Sequence, residues 1–392
     1  MRIIGDTNIP FLSYRRIALS VSALVVVAGL AYQFFGPGLN LGIDFVGGTQ
    51  VTLKFRDQPD LGDLRTAISN LTVGTPLIQR FDEAEKHEIM IRVENPEGTE
   101  GDFTRPILEL LHDDLNADLG DRFDLNTKGS LDLLELLVTA DPDGMVGDFE
   151  ARETYYEPMA ESVLDYRKQN GIFLSLDELS GVEGLSADSS SYLQNNAGAG
   201  AFALLGAESV GPAVGADLQK KAMLAIAFSL VGMLIYIWIR FQLPYAVGAV
   251  AALFHDVLIT LTAIAVTHRE INLPTVAALL TLVGYSVNDT VVVFDRVREN
   301  LRLQRGEDLE KLMDVSINQT LSRTFITSGT TLAVVLSLYI FGGDVINTFA
   351  FVLLVGVLVG TDSSIFVASP VALAVNKLLV ARRERRRAKG KR

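Results

Sequence analysis

The sequence predicts a polytopic α-helical membrane protein: six transmembrane helices, with an α+β domain between the first and second that carries a helical insertion. Three observations predict it. The 392-residue chain is 49% hydrophobic, which is high for a soluble protein of this length. Its apolar residues gather into six runs, each near or above the roughly 20 residues that cross a bilayer. One stretch, residues 36–216, breaks that pattern with 33 acidic against 12 basic residues.

The runs fall at about 16–35, 221–239, 243–267, 273–294, 318–342 and 345–378. The first reads as a retained span, because "FFGPGLNLG" follows it instead of a small-x-small cleavage site. Basic residues near span ends set orientation. Arg15 and Arg16 precede the first run, and Arg240 separates the second and third. Arg296, Arg298, Arg302, Arg305 and Lys311 separate the fourth and fifth, and "ARRERRRAKGKR" follows the sixth. With six spans all of these share one side, so both termini are cytoplasmic and the acidic block lies outside. The expected divisions are 1–35, 36–216, 217–380 with a charged amphipathic helical connector at about 296–322, broken near Gly306, and a basic tail at 381–392. With no cysteine, the outer domain cannot rely on disulfides.

In the outer block, Val51, Leu53 and Phe55 alternate with polar residues as in a strand. "DLGDLRTAISNL" reads as a helix opened by an Asp cap. "TPLIQRF" and "HEIMIRV" read as strands. "FTRPILELLHDDL" reads as a helix with Pro106 in its first turn, and "AFALLGAESVGP" as a last strand. The order β-α-β-β-α-β is a ferredoxin-like plan. About 85 residues, 115–199, interrupt it. A structureless loop of that length is improbable in a compact domain, so this segment reads as an inserted helical subdomain, with "SADSSSYLQNNAGAG" as its linker back. Within it, "ESVLDYRKQNGIFLSLDELSGVEGL" resembles the helix-hairpin-helix modules of competence DNA receptors and of a type II secretion minor pseudopilin. Such modules bind nucleic acid through a positive surface. This segment is acidic, so nucleic acid is not an expected partner.

Ionisable residues inside spans are functional candidates. Asp289 stands in the fourth run, within "LVGYSVNDTVVVFDR" beside Ser286, Asn288 and Thr290. His255 and Asp256 stand in the third, Arg323 in the fifth and Asp362 in the sixth. The fourth and fifth runs are antiparallel neighbours, so Arg323 is the expected partner of Asp289 at similar depth. A carboxylate that can gain and lose an arginine partner is a proton gate; a static salt bridge is the alternative. His255–Asp256 reads equally as a second relay site or as an interhelical hydrogen bond. Ser286, Asn288 and Thr290 read as supporting polar contacts. Asp295 and Arg296 read as the cytoplasmic boundary of the fourth span. No Gly-x-Gly-Asp, Gly-x-Ser-Gly or P-loop motif is present. An intramembrane aspartyl protease, a rhomboid protease and a P-loop nucleotidase are therefore not supported, and the chain is expected not to be an enzyme.

"LGIDFVGGT" (41–49), "ESVGPAVG" (208–215), "GYSVNDTVVVFDRVREN" (284–300) and "INQTLSRTFITSGTT" (317–331) together resemble the SecD/SecF family of the bacterial Sec translocase, on its SecF side. That family belongs to the resistance-nodulation-division superfamily. The resemblance implies a multi-pass protein of the inner membrane with a periplasmic domain. It implies partnership with SecD, the SecYEG channel, translocating preprotein and the lipid membrane. It implies use of the proton motive force, with no cofactor beyond the coupling ion, H⁺, and no metal. It places the family's relay pair on Asp289 and Arg323. It places Gly42, Asp44, Gly47 and Gly48 in a turn where the first span meets the outer domain. Half of a proton-driven small-molecule exporter of the same superfamily is the alternative.

Overall fold

The structure is a computed structural model and describes residues 7–69, 71, 76–81, 86–95, 101–304 and 306–389. Arg305 and the last three residues of the basic tail lie outside the described residues. The chain forms two compact units: Met1–Gly42 with Leu218–Arg392, and Ile43–Asp217.

In the second unit, β1 (Gly48–Phe55), α1 (Leu61–Ser69), β2 (Leu77–Phe81), β3 (Glu88–Val93) and α2 (Thr104–Leu115) follow one another. After the insertion, Phe202–Val210 forms the last strand of the sheet. The four strands form an antiparallel sheet in the order β2-β3-β1-last strand. This is the ferredoxin-like plan read from the sequence. Val51, Leu53 and Phe55 of β1 point to one face, where Leu64 and Ile68 of α1 and Ile107 and Leu111 of α2 cover them. Asp60 caps α1, its Oδ1 accepting from the N–H of Gly62 at 2.6 Å and of Asp63 at 3.3 Å. The chain enters β1 through Gly47 (φ +79°) and Gly48 (φ +132°). A Cβ at Gly47 would lie 2.8 Å from Pro212 Cα, and one at Gly48 2.5 Å from the Val93 carbonyl oxygen. Both the dihedrals and the space demand glycine.

The insertion is helical and has its own core, as expected. It comprises α3 (Ser130–Ala140), α4 (Phe149–Asn170), a 3₁₀ turn (Leu176–Gly181) and α5 (Ala187–Asn196). Leu133, Leu137, Tyr156, Val163, Phe173 and Leu193 form its interior. The stretch expected to be a linker back is instead α5. Ser186 Oγ accepts from Ser189 N–H at 3.0 Å, capping that helix, and Leu193 is fully buried. A serine-rich start reads as loop by composition yet works as a cap. Entry and exit are clasped together: Phe123–Asp124 pairs in parallel with Ala197–Gly198. Beside that pair, buried Asn126 donates to the carbonyls of Phe173 and Gly200 and accepts from Phe173 N–H, each at 2.9 Å. At the α3–α4 turn, Asp141 accepts from Met145 N–H at 2.9 Å and from the Tyr156 hydroxyl at 2.9 Å. The Met145 N–H, foremost, holds the Asp141 carboxyl below its ordinary value. Burial pushes the Tyr156 hydroxyl up to about 12.

Among the described residues, six helices are long and apolar enough to cross a membrane. The first span is Arg15–Phe35, led by a 3₁₀ turn at Phe11–Tyr14; the second is Pro212–Arg240 and the third Leu243–Val266. The fourth is Leu273–Leu303 and the fifth Leu309–Phe341. The sixth runs Gly343–Ser363, passes a π-helical turn at Ser364–Ala368, and continues as Ser369–Lys389. The fourth helix runs on through Asp295 and Arg296 into the connector, which is helical as expected. The fifth helix takes up the second half of the connector, and the break falls around Gly306 (φ +96°), as read from the sequence. Charged residues here are helical because helices extend past the hydrocarbon into water, where polar side chains cost nothing.

The third, fourth and sixth spans form the interior. Their apolar windows are 44%, 56% and 56% buried, against 6% for the first and second and 17% for the fifth. The first span is fastened at both ends. At one end, Ile9 and Asn318 exchange two hydrogen bonds of 2.9 Å, and Leu12 N–H donates to Asp314 Oδ1 at 2.9 Å. Arg15 pairs there with Glu310, which also pairs with Lys377 at 2.9 Å. At the other end, Asn40–Leu41 pairs in parallel with Glu270–Ile271, and Gly42 N–H donates to the Ile271 carbonyl at 2.9 Å.

Candidate functional site

The fourth span turns Leu282, Ser286, Asp289, Thr290, Val293 and Val297 inward. These positions recur at the i, i+3, i+4, i+7 spacing of one helix face. Apolar residues above and below make the face a packing surface; the polar ones in its middle make it a site. Asp289 is 2% exposed and Asp256, on the third span, is fully buried.

The two carboxylates stand in separate polar nests. Asp289 Oδ2 accepts from Ser328 Oγ of the fifth span at 3.1 Å, and that hydroxyl also pairs with Thr361 Oγ1 of the sixth at 2.8 Å. Asp256 Oδ2 accepts from Ser286 Oγ at 2.5 Å and Ser363 Oγ at 2.8 Å, while Oδ1 lies 2.9 Å from His255 Nδ1. Thr290 Oγ1 and Ser364 Oγ, 2.8 Å apart, tie the fourth span to the π-helical turn of the sixth. Helices come this close where side chains are small. A Cβ at Gly360 would lie 3.1 Å from Ser286 Cβ, and one at Gly356 2.5 Å from a Leu282 methyl.

Arg323 is close enough for its charge to act on Asp289, without touching it. Among the described residues no ion pair within 4 Å joins it to Asp289. Asp289 precedes Leu303 by as many residues as Arg323 follows Leu309, so the depth expectation is met. Arg323 is itself exposed, while Thr320, Thr324 and Ser328 of the same span are buried. Asn288 is likewise exposed and lines a cleft of about 330 Å³ with Gly232, Met233, Tyr236 and Gly284, between the second and fourth spans. Asp362 is on the exposed side of the sixth span. Ser286 serves Asp256 and Thr290 serves Ser364; neither touches Asp289 through its hydroxyl.

Two groups were not foreseen. Ser328 hydrogen-bonds Asp289, with Thr361 beside it, and Ser363 supports Asp256. The row Thr320, Thr324, Ser328, with small hydroxyls at i, i+4, i+8, was the available signal for the first.

A segment model described as the SecD/SecF GG motif matches residues 34–59, and one described as protein export membrane protein SecD/SecF, C-terminal, matches residues 191–378. Protein translocase subunit SecF of Koribacter versatilis is 42% identical over 95% of this chain and 93% of its own length. The chain belongs to the SecD/SecF family. The SecF subunit of Calditerrivibrio nitroreducens is 38% identical over 95% of this chain and 96% of its own length. The crystal structure of SecDF, a translocon-associated membrane protein from Thermus thermophilus, superposes with a TM-score of 0.66 at 28% identity. It covers 95% of this chain, which spans 39% of that longer one. Six long apolar helices in a SecD/SecF chain make this a multi-pass membrane protein. Gly42, Asp44, Gly47 and Gly48 fall in the matched GG segment. Gly42 makes the tight approach to Ile271, and a Cβ there would lie 3.2 Å from its carbonyl oxygen. Asp44 belongs to a short helix, Ile43–Val46.

Proposed function

We propose that the chain is the SecF-type subunit of a bacterial Sec preprotein translocase. With SecD, in the inner membrane, it uses the proton motive force to promote the late steps of export of preproteins delivered through SecYEG. Both termini are cytoplasmic and the Ile43–Asp217 unit is periplasmic in this reading, which needs no cofactor beyond the coupling proton.

One observation carries it: Asp289, buried at mid-span, is held by neutral hydroxyls, with no cation within 4 Å among the described residues. A carboxylate so placed is costly unless it serves ion movement. The arginine at its depth is exposed on the fifth span, and the mostly exposed first, second and fifth spans leave apolar surface for a membrane partner. Asp289 takes a proton, loses its claim on Ser328, and frees the fifth span to shift against the fourth; Arg323 moves with that span. A proton crossing ~150 mV releases about 3.5 kcal/mol, enough to move a two-state equilibrium several hundred-fold.

The test is secretion driven by a proton gradient in membrane vesicles carrying Asp289→Asn or Arg323→Met at wild-type levels. The expected result is loss of the gradient-dependent component with the ATP-dependent component intact. Full gradient-dependent secretion in both variants would refute the reading.

A further inference from the structure

We propose that His255 and Asp256 form a second proton-binding centre, separate from Asp289, in which His255 Nε2 receives the proton and Asp256 is its fixed counter-charge. The proposal rests on the proton-driven reading above and deepens it.

The geometry starts at Asp256. Its carboxylate has three polar partners from three helices: His255 Nδ1 of its own span, Ser286 Oγ of the fourth and Ser363 Oγ of the sixth. Hydroxyls donating to both sides of one oxygen are the surroundings of an ionised carboxylate. With Nδ1 turned to that carboxylate, His255 is the tautomer that carries its hydrogen there, and the lone pair is left on Nε2. Nε2 is buried and has no hydrogen-bond partner, and the His255 side chain is only 10% exposed. A buried nitrogen left bare is unusual, because buried polar groups are nearly always satisfied. A proton satisfies it: the imidazole becomes an imidazolium directly against a carboxylate, and a lone buried negative charge becomes a neutral pair.

A purely structural role does not require this arrangement. Ser286 and Ser363 alone would hold Asp256 between two helices, and an amide would serve at position 255. The groups facing the centre come from each packed element. The fourth span presents Ser286, and the sixth presents Ser363 and Asp362, whose charge acts on both His255 and Asp256. The first span meets the third at Gly29 against Thr262. Asp362 lies at the exposed edge of the sixth span, which gives the proton an acidic group on its way in. The centre shares no hydrogen bond with Asp289, but Ser286 stands one helical turn from Asp289 on the same span. Charging or discharging the dyad pulls on the helix that carries both.

The test has two arms. The full chain, ¹⁵N-labelled at its four histidines, is studied in lipid nanodiscs by nitrogen NMR, with His255→Asn identifying the His255 signals. The expected result is a neutral, Nδ1-protonated ring that converts to imidazolium as the pH is lowered, and fails to convert in Asp256→Asn. A His255 ring that keeps one form throughout, or converts identically in Asp256→Asn, overturns the proposal. In the second arm, His255→Asn keeps an N–H toward Asp256 but has no second nitrogen. Gradient-dependent secretion in membrane vesicles should fall by roughly ten-fold or more, as expected for loss of a proton-transfer group. Secretion at the wild-type level, with an unchanged pH profile, overturns it. Asp289→Asn separates the two readings: unaffected secretion there defeats the proton-driven reading while leaving the His255 conversion to stand.

Discussion

Replacing Gly48 by alanine isolates what the glycine pair ahead of β1 contributes. Two effects act at once. The backbone at φ +132° is one that side chains rarely adopt, and such strain costs about 1–3 kcal/mol. The new methyl would also lie 2.5 Å from the Val93 carbonyl oxygen, which belongs to the neighbouring strand β3 and pairs in register with Thr49. That oxygen is backbone and cannot swing away, so β1 and β3 must part locally, at a further cost on the order of 1 kcal/mol. The sum is about 2–4 kcal/mol. For a unit of this size each kcal/mol lowers the melting temperature by about 2–4 °C, giving a fall of roughly 5–15 °C. The assay is thermal unfolding of the Ile43–Asp217 unit followed by circular dichroism. Gly206→Ala is the control, since it lies in the same sheet and its added Cβ meets nothing within 4 Å; it should shift melting by no more than a degree or two. If Gly48→Ala melts with the control, glycine is not there for conformational reasons, and the segment needs a different explanation.

Asn126→Ala removes three buried hydrogen bonds from the clasp at the base of the insertion; denaturant unfolding of the same unit should show a loss of about 2–4 kcal/mol. The Asp141 carboxyl is held below its ordinary value, first by Met145 N–H. Its stabilisation is therefore fully present above the unfolded value of about 3.9 and fades as pH falls through the lower folded value. Thermal scans toward acid pH should show a steeper loss for the wild type than for Asp141→Asn. In the membrane unit, a Cβ at Gly248 would lie 2.5 Å from the Ala368 carbonyl oxygen in the π-helical turn. Gly248→Ala should lower resistance to unfolding in mixed detergent by about 1–3 kcal/mol.

Hydropathy and charge made most of this fold legible. Six apolar runs became six spans, and alternation at Val51, Leu53 and Phe55 became the inner face of a ferredoxin-like sheet. These signals survive because they record transfer out of water, which each segment does largely on its own. Facing is different. Arg323 and Asp289 were placed correctly in depth, since depth follows from counting residues along two helices. Whether their side chains meet depends on how each helix is rotated, and that is set by contacts with residues far away in sequence. Ser328 and Ser363 were missed for a related reason: a serine in an apolar run is cheap and unremarked until a carboxylate is found opposite it. The helix at Ala187–Asn196 was missed because serine composition outweighed the single capping interaction that starts it. The helical connector broken near Gly306 was legible from its amphipathic spacing and the glycine itself.

The double fastening of the first span has a mechanical meaning. One end is bonded to the fifth helix, whose Glu310 also pairs with Lys377 of the sixth, and the other end to the loop joining the third and fourth. A rod tied at opposite ends to different members of a bundle acts as a diagonal brace. Tilting the fifth helix against the fourth would lengthen that diagonal, and a helix hardly stretches, so one of the two ties must yield before the tilt can grow. The lightly packed first helix thus sets a mechanical stop on how far its better-buried neighbours can travel.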